Sequence, residues 1–256
     1  MSRRCFCGML GGMLLNAAPF PERLRAGLAD ARPDEDLFAF MNRTAGGFDE
    51  SVYRRLVGAA NAFKEGDAIL GVAAESEAMR SSARRLLSRT RVGDIRAHPL
   101  FEDDLYARLL ADLSPVPADK TAGMTLGELK AFLLEREEAE IRPLLDGLCS
   151  DEIACLVKIM SDEDLVAVGG KIFNPLPGTK IGAKGYLGAR IQPNSPTDHP
   201  DDVVWQVFSG WSYAVGDVVL GTNPVSSEPD SVSVLEDALL DLRRTFGVET
   251  LLPDSV

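Results

Sequence analysis

Arg190 and Gln192 stand two residues apart in a stretch where Leu187, Ala189 and Ile191 alternate with Gly188, Arg190 and Gln192. Successive side chains of a β-strand point to opposite faces, so this spacing puts a guanidinium and a carboxamide on one face. A second stretch, Val218-Val219-Leu220, is apolar without alternation and runs into Gly221-Thr222-Asn223-Pro224. A strand covered on both faces has that pattern. A cation and two amides gathered at strand ends can hold a small polar molecule. The guanidinium gives a charge-assisted hydrogen bond to an oxygen, and the amides donate or accept. The C-terminal ends of parallel strands are where α/β barrels keep their chemistry.

Such groups need a parallel sheet behind them, and the flanking sequence has the alternation that builds one. The pattern predicts strand 186–192, helix 201–215, strand 217–222, helix 232–246 and strand 248–252, which are parallel βαβ units. Leu235, Leu239, Leu242 and Phe246 form the apolar stripe of the last helix. Upstream, residues 51–170 read as a helical domain. Its stripes are Met79, Ala83, Leu86 and Leu87; Leu126, Leu129, Phe132 and Leu133; and Ile153, Leu156, Val157 and Met160. Thr125-x-x-Glu128 fits a capping box, and Ser114-Pro-Val-Pro-Ala118 reads as a linker between helices. Residues 1–50, with Pro19, Pro21, Pro33 and Ala45-Gly-Gly, have little periodicity and read as a loose N-terminal extension. Gly178–Gly185 matches neither dinucleotide nor P-loop spacing and reads as an ordinary connection.

With 256 residues and 45% apolar composition, the chain can bury a core. Its formal charge of −12 and pI near 4.7 argue against a nucleic-acid partner, since no basic face offsets phosphate repulsion. The run Glu135, Glu137, Glu138, Glu140 reads as a solvated helix face. Four cysteines in a chain this long do not make a disulfide framework. Cys149 and Cys155 read as buried thiols, Cys5 and Cys7 lack partners for zinc, and a reducing, cytoplasmic compartment fits. No stretch is long enough to span a membrane. Arg3-Arg4 and the apolar stretch Cys5–Leu15 have the dimensions of a signal-peptide start, but Asn16-Ala17-Ala18 is a poor cleavage site. A start codon placed too far upstream accounts for these residues as well. His98 and His199 each precede a proline and read as surface loop residues, while Trp211 and Tyr213 read as core packing.

The ordered series Ala-Arg-Ile-Gln-Pro-Asn at 189–194, Thr197-Asp198, Gly-Trp-Ser-Tyr-Ala-Val-Gly-Asp at 210–217 and Gly-Thr-Asn-Pro-Val at 221–225 resembles the large subunit of ethanolamine ammonia-lyase. Gly-Val-Ala-Ala-Glu-Ser at 71–76 and Gly-Leu-Cys-Ser-Asp-Glu at 147–152 look like that family's N-terminal helical region, and the similarity runs from about Val52 to about Thr250. The resemblance implies an adenosylcobalamin-dependent lyase. In that family the cofactor's cobalt–carbon bond breaks and the resulting radical takes a hydrogen from C1 of ethanolamine. Acetaldehyde and ammonia result. It implies that Arg190 donates to the substrate hydroxyl oxygen, Asn223 bonds to the same end, Gln192 bonds towards the amino group, and Pro224 packs against the cobalamin. No metal ligand is implied, because neither histidine sits in an Asp-x-His-x-x-Gly context. It also implies a small-subunit partner in a hetero-oligomer and a bacterial microcompartment. The family's (β/α)8 TIM barrel takes about 250 residues in its own right. Fewer than ninety follow Gly170, so the expectation is a truncated barrel of two βα units and a third strand. The carboxylates that hold the substrate ammonium in the family then have no counterpart here. Two alternatives stand beside this reading: a catalytically inactive relative acting as an assembly or binding protein, and an unrelated α/β-barrel enzyme for another small amino alcohol.

Overall fold

A computed structural model describes residues 21–256 apart from 177–178, 187, 214–217, 253 and 256. The expectations for the first twenty residues, for Leu187 and for the junction at 214–217 therefore lie outside the described residues. The chain forms two compact units, Met1–Lys171 and Ile172–Val256.

The first unit is helical. Its elements among the described residues are α1 (Glu22–Ala29), α2 (Leu37–Ala45), α3 (Glu50–Ala59), α4 (Glu65–Ile69), α5 (Glu77–Arg89), α6 (Val92–Arg96), α7 (Asp104–Ala111), α8 (Pro115–Ala122), α9 (Leu126–Glu135), α10 (Glu138–Leu145), α11 (Ser150–Lys158) and α12 (Asp162–Gly169). Side chains of Asp36, Asp49, Ser76, Asp103, Thr125 and Ser161 accept the N3 backbone N–H of the helix each precedes, which satisfies donors that a helix start leaves orphaned. The Thr125–Glu128 capping box forms as expected. Helix α5 packs against α1, α2, α3 and α9 and buries Met79, Ala83, Leu86 and Leu87.

Three expectations for this unit are corrected. Residues 21–50 are not a loose extension, because α1 and α2 bury Leu24, Leu28, Leu37, Phe40 and Met41. Their prolines flank helices instead of interrupting them: Pro21 is the N-cap of α1, where its carbonyl accepts the Arg25 N–H at 3.0 Å and no N–H of its own is needed. The Ser114-Pro-Val-Pro segment is not a linker but the start of α8, with Pro115 in the first turn, where a missing N–H costs nothing. On α11, Ile153 and Val157 are 46% and 43% exposed, whereas Glu152, Cys155 and Leu156 are buried. The inward face turned because Glu152 has a partner. Arg96 forms an ion pair with it and also donates to the carbonyls of Ala118 (3.1 Å) and Gly147 (2.8 Å) and to the Thr121 hydroxyl (3.2 Å). The other Glu152 oxygen accepts the Cys149 N–H at 2.9 Å. His98 stands in a bend after α6, half-buried, as a loop residue with neighbours. Its ring lies 4.7 Å from both Phe38 and Phe48, and Nδ1 donates to the Asp94 carbonyl at 2.8 Å.

The second unit alternates strand and helix: β1 (Ala189–Ile191), α13 (Pro200–Ser212), β2 (Val218–Gly221), α14 (Pro229–Phe246) and β3 (Asp254–Ser255). The strands form a parallel sheet in the order β1-β2-β3, with Arg190 opposite Val219 and Gly221 opposite Ser255. This α/β character is as expected, but the third strand is displaced. Gly247 takes a left-handed conformation (φ 65°) that ends α14, and residues 248–252 form a turn held by N–H bonds from Leu251 and Leu252 to the Val248 carbonyl. Among the described residues, pairing with β2 starts at Asp254. Val218 and Leu220 of β2 meet Val203 and Val207 of α13 and Leu235, Leu239 and Leu242 of α14, with Ala189 and Ile191 of β1 packed against them. Both helices therefore cover one face of the sheet.

Candidate functional site

The opposite face belongs to the alternate residues: Arg190 on β1, and Val219 and Gly221 on β2. Arg190 is exposed, and Gln192, two residues on, is exposed just past the strand end. Arg190 leans across its neighbour. A methyl group built on Gly221 would come 2.7 Å from its guanidinium carbon, so the absent side chain makes the space in which the cation lies. Two residues beyond Gly221 comes Asn223, also exposed, then half-buried Pro224. Among the described residues, no ion pair or hydrogen bond occupies the side chains of Arg190, Gln192 or Asn223. The structure thus gathers Arg190 and the Asn223 loop at the same ends of adjacent strands, with their polar groups available to a ligand.

The loop after β1 sets the loop after β2. Asn194 is fixed by α13: its N–H donates to Gln206 Oε1 (3.1 Å) and its carbonyl accepts from Gln206 Nε2 (2.8 Å). Its own Oδ1 accepts the Asn223 N–H at 3.3 Å. Ser195, buried, accepts the N–H groups of Thr197 (3.3 Å) and His199 (3.0 Å) and donates to Asp202 at 3.1 Å. That tight turn leaves Asp198 with φ 53°, the one described non-glycine residue at positive φ. Its carboxylate oxygens each take one N–H, from Val225 and Ser226, both at 2.8 Å, and Oδ2 also accepts from the Ser231 hydroxyl. The Val225 and Ser226 N–H groups, outweighing its desolvation, hold the Asp198 carboxyl below the usual carboxylate range.

Gly221, Asn194, Ser195 and Asp198 were not foreseen as site residues. Glycine at the end of an apolar strand, facing an arginine one strand away, was the available signal for the first. The turn formers of Asn194-Ser-Pro-Thr-Asp198 were the signal for the others. Tyr213, expected in the core, is 79% exposed, while Trp211 is partly buried in an aromatic group with Phe208 and Phe246 at 5.9 and 5.3 Å. His199 caps α13, its Nδ1 accepting the Asp201 N–H. No group of three or more metal-ligating side chains occurs among the described residues. No described helix is long and apolar enough to cross a membrane. Half-buried Pro224 and Val225, 70% exposed, are the apolar residues that follow Asn223 in its loop.

Comparison with known proteins agrees with these motifs. A family model described as ethanolamine ammonia lyase large subunit (EutB) matches residues 48–253. The ethanolamine ammonia-lyase large subunit of Escherichia coli (strain K12) is 32% identical over 204 residues, covering 77% of this chain and 45% of that protein. The Salmonella typhimurium large subunit is 30% identical with the same coverage. The chain spans about half the length of the relatives it matches.

Proposed function

The chain belongs to the ethanolamine ammonia-lyase large-subunit family, and from that premise we propose that its second unit supplies one wall of an ethanolamine-binding site, built as the first βα units of a (β/α)8 barrel. Arg190 donates to the substrate hydroxyl oxygen and stabilises negative charge that builds there as the carbon–nitrogen bond breaks. Asn223 bonds to the same oxygen end, and Gln192 turns its amide towards the amino group. Ethanolamine leaves as acetaldehyde and ammonia. Adenosylcobalamin supplies the radical chemistry when bound, and Pro224, with Val225 after it, would pack against that cofactor. The substrate ammonium needs carboxylates besides these three groups, because a buried unpaired charge costs several kcal/mol. The family premise further implies assembly with a small subunit and operation in the cytoplasm or a bacterial microcompartment.

The observation that carries this reading is the guanidinium lying over Gly221 at the strand ends, beside the anchored Asn223. It is tested by assembling the chain with a small subunit, adenosylcobalamin and, as a separate polypeptide, the part of the Escherichia coli large subunit beyond the matched stretch. Acetaldehyde release is then followed. Arg190→Ala should lose a charge-assisted bond of about 1.5–3 kcal/mol, roughly ten- to a hundredfold in turnover. Undiminished turnover by that variant rejects the assignment. Small-subunit binding without acetaldehyde release from any combination would favour the assembly role instead.

A further inference from the structure

Between β2 and α14, the backbone N–H groups of Asn223, Val225 and Ser226 all point into side chains of the preceding βα loop, and Pro224 has no N–H to place. Asn194 takes the first, and the two oxygens of Asp198 take the others. No backbone pairing of these N–H groups within the loop is present among the described hydrogen bonds, so its path is dictated from outside. The strain runs the same way. Asp198 occupies a left-handed conformation that costs most residues, and the turn around buried Ser195 holds it there. Such an outlier persists when its surroundings over-determine it, and here it aims both carboxylate oxygens at the neighbouring loop. Ser231, in the first turn of α14, closes the third side.

We infer that Asp198 is a positioning residue, fixing the backbone at Val225 and Ser226 so that the Asn223 carboxamide, whose own N–H Asn194 holds, stands beside Arg190. This rests on the role proposed above for Asn223. The anchoring can nonetheless be measured without turnover. Glycine and asparagine both tolerate φ 53°, so Asp198→Gly and Asp198→Asn remove the carboxylate without adding backbone strain. In the isotope-labelled 256-residue chain, Asp198→Gly should speed amide exchange at Val225 and Ser226 at least tenfold and leave Leu220 unchanged. Asp198→Asn, with a single acceptor oxygen, should restore protection to only one of the two. In the assembly that releases acetaldehyde, Asp198→Gly should lower turnover about tenfold, and adding it to Asn223→Ala should cost nothing more, since both changes disable the same group. Unchanged exchange at Val225 and Ser226, or losses that add in the double variant, would overturn the inference. Full turnover by Asn223→Ala alone would reject the functional reading, with the exchange rates still deciding whether Asp198 anchors the loop.

Discussion

A single methyl group added at residue 221 should separate folding from the proposed function. Gly221 lies outside the left-handed region, so alanine is compatible with its backbone. By restricting the unfolded chain, the change should stabilise the unit by about 0.4–1 kcal/mol. The new Cβ, however, would sit 2.7 Å from the Arg190 guanidinium carbon, where carbon atoms prefer roughly 3.5–4.0 Å. Arg190 is exposed and its side chain flexible, so the guanidinium should move by about 1 Å and the strands should stay. A displacement of about 1 Å in a substrate-holding group can cost about a hundredfold in rate, or roughly 2.7 kcal/mol. Gly221→Ala should therefore melt at or slightly above the parent temperature while acetaldehyde release by the assembled enzyme falls about a hundredfold. Thermal unfolding followed by circular dichroism, run beside the acetaldehyde assay, measures both. A variant that keeps parental turnover would refute the idea that the guanidinium works from its place over Gly221. One that loses several kcal/mol of stability would show the arginine to be wedged, not free to move.

Other changes probe the scaffold. At Gly210 of α13 a Cβ would meet Ile191 Cδ1 at 2.6 Å, a branched side chain pressed against the core; Gly210→Ala should destabilise the second unit by about 1–3 kcal/mol, and a midpoint unchanged in urea would contradict that. Arg96→Ala strands the fully buried Glu152 carboxylate and should cost the helical unit about 3–5 kcal/mol in denaturant titrations; a loss below 1 kcal/mol would mean the pair is dispensable. Burial pushes the Cys155 thiol up to about 12, so the stability its neutral form contributes is complete below the ordinary thiol range and fades as pH rises towards that value. Iodoacetamide at pH 8 should accordingly leave Cys155 unmodified in the folded chain and label it in urea, and peptide mass spectrometry reads the result.

Periodicity carried the helical stripes on α5 and α9 and the Leu235, Leu239 and Leu242 face of α14, because those faces are mostly apolar and meet apolar neighbours; Phe246, the last of the α14 stripe, is exposed. It failed on α11, where a charged residue turned inward to a partner 56 positions away, information absent from any local window. Prolines misled twice, at α1 and α8, since a proline at a helix start and one in a linker look alike in sequence. The end of α14 was legible in Gly247, but the turn it begins uses up residues 248–252, Val-Glu-Thr-Leu-Leu, that read as a strand. At the site, alternation placed Arg190 on a strand, but β1 ends at Ile191, before Gln192. The interstrand register that sets Arg190 over Gly221, and the side chains of Asn194 and Asp198 that anchor Asn223, depend on contacts between loops far apart in the chain.

The parallel register has a consequence for how the second unit acquires its structure. Ala189 finds its partner only at Val218, and Leu220 only at Asp254, so each strand pair closes a loop that contains an entire helix. Loop closure must be met before such pairings return any favourable contacts, which makes them late events on a folding pathway. Helices of the first unit form their hydrogen bonds within a few residues and can appear as the chain leaves the ribosome. During synthesis β1 therefore waits, with both edges open, until α13 and β2 have been made. In that interval Ile191 and Ala189 are without their apolar cover, and this is the period in which the nascent chain is most exposed to strand-to-strand association with its neighbours.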